Sequence, residues 1–122
     1  MNEYITKTEH RPWGSFTVLQ DEPSFKVKRL NVFAGKRLSL QKHLKRSEIW
    51  TVVSGVGKFT IGNDVFVIDS ASSDESKTTL FIPKNTVHRI EAITNLIVVE
   101  TQQGEYFGED DIVRYEDDFG RV

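Results

Sequence analysis

The feature of this sequence that most restricts its fold is a succession of short β-rich runs broken by turn residues. Phe25–Phe33 ends at Ala34-Gly35. Arg37–His43 follows, then Ile49–Val53, closed by Ser54-Gly55. Lys58–Ile61 and Val65–Ile68 flank Gly62-Asn63-Asp64, which has the composition of a hairpin turn. Thr79–Ile82 stops at Pro83, and Val87–Ile90 and Leu96–Thr101 flank a turn at Thr94-Asn95. Strands this short and this regularly spaced predict an all-β antiparallel sandwich or barrel. Only Glu109–Tyr115, after Gly108, has the make-up of a short helical turn. The Ser-rich stretch 69–78 is expected to be an exposed loop.

At 122 residues the sequence is sized for one domain, 1–122, with a core of its own. Net charge is −2, so neither nucleic acid nor an anionic membrane is an expected partner. The charge is unevenly placed: residues 105–118 carry Glu105, Glu109, Asp110, Asp111, Glu116, Asp117 and Asp118 against Arg114 alone, leaving a mildly basic remainder. Those acids follow neither the spacing nor the central glycine of an EF-hand, which argues against calcium. There is no cysteine, which excludes disulfides, thiolate metal sites and a cysteine nucleophile. The opening decapeptide is polar and lacks an apolar signal core, and no apolar run reaches membrane-spanning length. A cytoplasmic location is the resulting expectation.

The candidate chemistry gathers at a few positions. Gln41 and His43 sit two apart on a predicted strand and so share a face, with Arg37 and Ser39 at the same parity. Glu48 follows at the start of the next strand, with Trp50 at its parity, and His88 lies just beyond Pro83. Two imidazoles, a carboxylate and an amide oxygen suit Zn²⁺, Mn²⁺, Fe²⁺, Co²⁺ or Ni²⁺ better than Ca²⁺ or Mg²⁺. Spacing alone leaves open a packed, hydrogen-bonded core histidine.

Wider motifs favour the metal site over the packed histidine. Gly35, Gln41-x-His43, Glu48 and Gly55 resemble the first cupin motif, with Gln41 in place of its usual first histidine. Pro83-x-Asn85-x-x-His88 resembles the second, with Asn85 where glycine is usual. Arg11-Pro12-Trp13-Gly14-Ser15-Phe16, Lys26-Val27-Lys28-Arg29-Leu30, Leu38-Ser39-Leu40-Gln41-x-His43 and the closing run from Gly104 to Arg121 resemble the C-terminal domain of type II phosphomannose isomerases. The resemblance covers nearly the whole chain. It implies a cupin-type antiparallel β-barrel and metal-dependent interconversion of mannose 6-phosphate and fructose 6-phosphate. It also implies one divalent metal, zinc foremost, on Gln41, His43, Glu48 and His88. In that family the domain usually follows a mannose-1-phosphate guanylyltransferase domain, for which this sequence is too short; a separate guanylyltransferase is an expected partner. Class resemblance further suggests a homodimer in which the segment Tyr4–His10 crosses to a neighbour.

Arg46 and Arg114 are the candidate catalytic cations for a phosphorylated hexose, since guanidinium matches phosphate geometry. Arg37, Lys42 and Lys45 fit surface ion pairs better, His10 fits the surface, and the general base is not assigned. The family commonly has histidines where this sequence has Leu44, Lys45 and Ile49. A different sugar-phosphate or nucleotide-sugar isomerase or epimerase, and a non-catalytic sugar-binding cupin, are the alternatives on the same barrel.

Overall fold

The structure, a computed structural model, describes residues 7–72 and 75–121. Eleven strands run in chain order: β1 Thr8–Arg11, β2 Gly14–Asp21, β3 Phe25–Val32, β4 Leu40–Lys42, β5 Arg46–Ser54, β6 Val56–Ile61, β7 Asp64–Asp69, β8 Thr79–Ile82, β9 His88–Ala92, β10 Leu96–Gly104 and β11 Val113–Glu116. They form two antiparallel sheets, ordered β1-β2-β3-β10-β5-β8 and β11-β4-β9-β6-β7. A short 3₁₀ helix, Glu75–Thr78, stands in the Ser-rich stretch expected to be loop. Among the described residues, no helix is long and apolar enough to cross a membrane.

Alternation along the strands decides what lies between the sheets. In β5 the inward residues are Arg46, Glu48, Trp50 and Val52; in β10 they are Leu96, Val98, Glu100 and Gln102; in β3 they are Lys28, Leu30 and Val32. Register places Val98 opposite Val52 and Leu30, Glu100 opposite Trp50 and Lys28, and Gln102 opposite Glu48. The inner face is therefore apolar at one end and becomes charged toward the other. Val52, Val98, Leu96, Leu30, Phe59 and Ile90 close the apolar end and form the core with Trp13, Phe16 and Trp50. Each fully buried aliphatic or aromatic side chain there contributes roughly 1.5–3 kcal/mol. The polar end carries the candidate ligands.

Several expectations need correction. Glu109–Tyr115 is not helical as a whole: Glu109 and Asp110 make one turn, closed by the Asp111 N–H on the Gly108 carbonyl at 3.1 Å, and residues 113–116 are strand β11, which pairs with β4. Its cross-strand partners satisfy the backbone, where a single isolated turn would leave it open. The run Arg37–His43 is strand only at Leu40–Lys42; Arg37 makes an isolated bridge to Glu91. Arg37 also leaves the inner face, turning outward to Asp118 at 2.8 Å and Glu91 at 3.7 Å. Strands β1 and β2 lie outside the predicted runs: β1 is wholly polar, while β2 carries Phe16, Val18 and Leu19. Of the Tyr4–His10 segment, Tyr4–Thr6 lie outside the described residues, while Thr8–His10 pair with β2 of their own chain.

Two glycines differ in what their turns demand. Gly62 (φ 59) closes the two-residue β6–β7 loop, and a Cβ there would meet nothing nearer than 4.0 Å. Gly55 (φ 92), between β5 and β6, packs so that a Cβ would lie 2.1 Å from the Asn95 carbonyl oxygen. Gly55→Ala is expected to lower stability by about 3 kcal/mol and Gly62→Ala by only about 1 kcal/mol, measured by urea unfolding. Equal losses would contradict this difference in crowding.

Candidate functional site

Glu48 is 2 % exposed and His43 and His88 are 5 % and 3 % exposed. His43 Nε2 lies 3.4 Å from Glu48 Oε2, and His88 Nε2 lies 3.7 Å from Glu48 Oε1. The backbone sets the orientation of both rings. His43 Nδ1 meets the Asp111 carbonyl at 2.7 Å, and His88 Nδ1 meets the Thr86 carbonyl at 2.9 Å. A carbonyl only accepts, so each Nδ1 carries the proton and each Nε2 turns a lone pair toward Glu48. Metal-binding imidazoles are fixed in this way by their remaining nitrogen. Within the described residues these three side chains form a group whose ligand atoms all lie within 4.8 Å of one another. Gln41 pairs in register with His88 across β4 and β9, and it lines the adjoining cavity.

The two sequence motifs meet through the backbone. Asn85 N–H donates to the His43 carbonyl at 2.7 Å. Asn85 has φ 58, the left-handed conformation that glycine or asparagine tolerates, which explains its place in a usual glycine position. Asp111 then holds the His43 loop from the other side, its carboxylate accepting from the backbone N–H groups of Leu44 and Lys45 at 3.0 and 2.9 Å. Burial pushes the Asp111 carboxyl upward, but those two N–H donors outweigh it and leave its pKa below the usual carboxylate range.

Arg46 crosses the same space. Its Nε donates to Glu48 Oε2 at 2.9 Å, and its NH2 donates to His43 Nε2 at 3.1 Å. Trp50 Nε1 donates to both Glu48 and Glu100, at 3.0 and 3.1 Å. Glu100 receives Gln102 Nε2 at 2.8 Å. Burial first, and the Glu48 charge second, push the Glu100 pKa up. Burial, then the Arg46 charge and His88, lower His43 to about 4. Burial likewise lowers His88. Both imidazoles are thus held neutral, the protonation state a metal ion requires.

A cavity of about 190 Å³ opens beside this cluster, lined by Gln41, His43, Arg46 and Arg114 of the sequence-predicted residues and also by Ser39, Lys28, Glu100, Asp111 and Arg121. Glu48 and His88 lie deeper. Leu44, Lys45 and Ile49 are not among its lining residues: Leu44 is 53 % exposed, Lys45 stacks over the Tyr106 ring, and Ile49 has the outward parity of β5. The positions at which this sequence departs from the histidine-rich family pattern therefore lie off the cavity. Lys42 and His10 are also outside it. Trp50 faces inward as its parity predicted, and Trp13 is in the core. Sequence inspection missed Glu100, Gln102 and Lys28, although each shares inward parity with apolar residues of its strand: Leu96 and Val98 before the first pair, and Leu30 and Val32 after Lys28.

The family profile described as Mannose-6-phosphate isomerase C-terminal matches residues 2–117. A xanthan biosynthesis protein XanB from Xanthomonas campestris is 41 % identical over 115 residues, 93 % of this chain and 23 % of XanB. A mannose-1-phosphate guanylyltransferase from Salmonella muenchen is 44 % identical over 108 residues, 87 % of this chain and 22 % of that protein. The chain thus spans less than a quarter of the length of these relatives. Among solved structures, the capsular polysaccharide assembling protein CapF of Staphylococcus aureus superposes with TM-score 0.78 at 20 % identity, over 93 % of this chain and 32 % of CapF. Streptomyces PAC13 superposes with TM-score 0.74 at 20 % identity, over 95 % and 93 % of the two chains. These two likenesses carry the fold, that of the cupin barrel.

The His43 shift has a defined pH consequence. Its pKa of about 4 lies below the ordinary 6.5, so below pH 6.5 an unfolded chain takes up a proton that the folded one refuses. Stability from this group is full above pH 6.5 and is lost as pH falls toward 4. In chelator-treated protein, the stability advantage of wild type over His43→Gln is expected to shrink by about 3 kcal/mol between pH 7 and pH 4. Urea titrations at each pH measure it; a constant difference would contradict a neutral buried imidazole.

Proposed function

We propose, from the premise that the chain belongs to the mannose-6-phosphate isomerase C-terminal family, that it is a metal-dependent isomerase interconverting mannose 6-phosphate and fructose 6-phosphate. The observation that carries this reading is the convergence of two backbone-locked imidazoles on one buried carboxylate, at the wall of a cavity rich in cations. Gln41, His43, Glu48 and His88 would hold one divalent ion. The set supplies two neutral nitrogens, one carboxylate and one amide oxygen, so a bound M²⁺ would retain net positive charge. When bound, such an ion supplies Lewis-acid stabilisation of the negative charge that develops on a sugar oxygen.

The chain's own residues do the rest. Arg46 donates to Glu48 Oε2 and would yield the single lone pair of His43 Nε2 to a bound ion, keeping its positive charge at the ligand cluster. Trp50 and Gln102 hold the Glu48 and Glu100 carboxyls in place by donating from fixed strand positions. Arg114, on β11 opposite Gln41, adds a cation to the cavity wall. Glu48 is almost fully buried, and that burial strengthens each of these interactions. The relatives named for xanthan and alginate biosynthesis support a role in polysaccharide precursor supply. A mannose-1-phosphate guanylyltransferase, the name borne by a relative of which this chain spans 22 %, is the natural partner activity.

Purified protein reconstituted with Zn²⁺, Mn²⁺, Co²⁺ or Ni²⁺ is expected to form fructose 6-phosphate from mannose 6-phosphate. Chelation should abolish the reaction, and His88→Ala should lower kcat/KM at least about 100-fold. A coupled assay for fructose 6-phosphate measures it. Absence of ketose formation with metal demonstrably bound would overturn this substrate assignment and direct the search to other phosphorylated or nucleotide-linked sugars.

A further inference from the structure

Moving hydrogen between two carbons of a sugar needs a base, and the ligand cluster leaves none free, since His43 and His88 are turned on Glu48. The cavity wall offers three further carboxylates, Glu100, Glu109 and Asp111. Two of them are committed. Both Asp111 oxygens hold the His43 loop, accepting from the Leu44 and Lys45 N–H groups. Glu100 is buried, with one oxygen on Trp50 Nε1 and the other on Gln102 Nε2. Glu109 differs. Its Oε1 accepts from Lys28 Nζ at 2.9 Å, and its Oε2 takes no hydrogen bond among the described residues. Among the described residues it is the cavity carboxylate that keeps a free oxygen.

Two anchors fix where Glu109 stands. The turn that carries it is closed by the Asp111 N–H on the Gly108 carbonyl, and Asp111 ties that turn to the His43 loop. On the other side is Lys28, on the inner face of β3 and 81 positions away in sequence. A lysine only 5 % exposed is rare unless paired, and Lys28 has Glu109 as its ion pair and the Phe16 ring 4.5 Å from its Nζ. The charged groups facing Glu109 are Lys28 and Lys26 of β3, Arg46 of β5 and Arg114 of β11. Burial pushes the Glu109 pKa up, but the Lys28 charge and hydrogen bond, helped by Arg46 and Lys26, outweigh it and hold it below the usual range. Glu109 is therefore ionised at neutral pH, the state in which a carboxylate accepts a proton.

We propose that Glu109 is the general base that carries hydrogen between C2 and C1 of the sugar, and that Lys28 is the residue that positions it. The assignment rests on the isomerase reading. In the aldose-to-ketose direction Glu109 takes the C2 proton of the open-chain sugar. The C2–H electron pair becomes the C1=C2 double bond, and the carbonyl π pair passes to O1. The O2 hydroxyl proton then moves to O1, an O2 electron pair forms the ketone, and C1 takes the proton back from Glu109. Atoms and charge balance, and neither an oxidant nor a reductant is needed. The Glu109 side chain is 66 % exposed, so the proton it holds exchanges with water before it returns.

The test is turnover of mannose 6-phosphate by the metal-reconstituted full chain in deuterated water, with deuterium at C1 of the ketose read by NMR. The variants are Glu109→Gln, Glu109→Asp and Lys28→Met, with Glu105→Gln, which is not among the cavity-lining residues, as control. Thermal unfolding and zinc content establish that each is folded and loaded, and isothermal titration gives its affinity for mannose 6-phosphate. Wild type is expected to place deuterium at C1. Glu109→Gln should lower kcat at least about 100-fold with affinity and zinc content unchanged, Glu109→Asp less, and Glu105→Gln not at all. Loss of Lys28 lifts the Glu109 pKa, so the acid limb of kcat/KM in Lys28→Met should move to higher pH. A lysine that only fills the core would lower activity without moving that limb. Glu109 is exposed, so its replacement leaves the core intact and decides the assignment even where Lys28→Met does not fold. Full kcat in Glu109→Gln, or ketose free of deuterium, would overturn the base, and an unmoved acid limb would remove Lys28 from its positioning role. Metal-loaded wild type that forms no ketose removes the isomerase reading and the base with it. Wild-type turnover that Glu109→Gln retains removes the base alone.

Discussion

A carboxylate enclosed inside a β-barrel dictates its surroundings, and Glu48 is that carboxylate here. At 2 % exposure it has lost water, and a buried charge persists only where protein groups replace the hydration. Arg46 and Trp50 supply donors to its two oxygens, while His43 and His88 face it with unprotonated Nε2 atoms. Register carries the consequences across the sheet, since Gln102 must stand opposite Glu48 and Glu100 opposite Trp50. The barrel therefore cannot be apolar throughout. Its hydrophobic packing is confined to one end, and the other end becomes a polar chamber with one free wall.

The acidic C-terminal stretch closes that chamber. The charge imbalance of the sequence resolves into specific pairs: Glu109 with Lys28, Glu116 with Arg89, Asp117 with Arg121 and Asp118 with Arg37. Lys28, Arg89 and Asp117 are the buried partners of three of these pairs, whereas the Arg37–Asp118 pair is exposed and contributes little. Asp111 does more, since one residue caps two backbone amides of the His43 loop and supplies the carbonyl that fixes the His43 tautomer. The tail thereby couples the geometry of the ligand cluster to that of the cavity wall carrying Arg114.

Much of this was legible beforehand because strand periodicity is a local signal. Thr79–Ile82 matches β8, the Gly62 hairpin is present, and the inward parity of Glu48 and Trp50 holds. Three kinds of information were not local. The helical expectation for Glu109–Tyr115 failed beyond the turn at Glu109 and Asp110 because only pairing with β4, more than 70 positions away, makes residues 113–116 a strand. Arg37 has inward parity by counting, but the Asp118 and Glu91 carboxylates hold it outside, and ion pairs between distant segments leave no trace in spacing. Glu100, Gln102 and Lys28 sit at inward positions in runs that otherwise read as core, and an isolated polar residue there looks like a break in the pattern until neighbouring strands show that such residues cluster.

The central claim is that Gln41, His43, Glu48 and His88 form a binding site for a single divalent ion. Its most direct measurement is metal content: chain dialysed against Zn²⁺, freed of excess and analysed by inductively coupled plasma mass spectrometry. About one equivalent per chain is predicted for wild type, a weakened retention for Gln41→Ala, and near zero for His43→Ala, with each variant shown to be folded. Equal zinc in wild type and His43→Ala, or none in wild type, would contradict the account at its base.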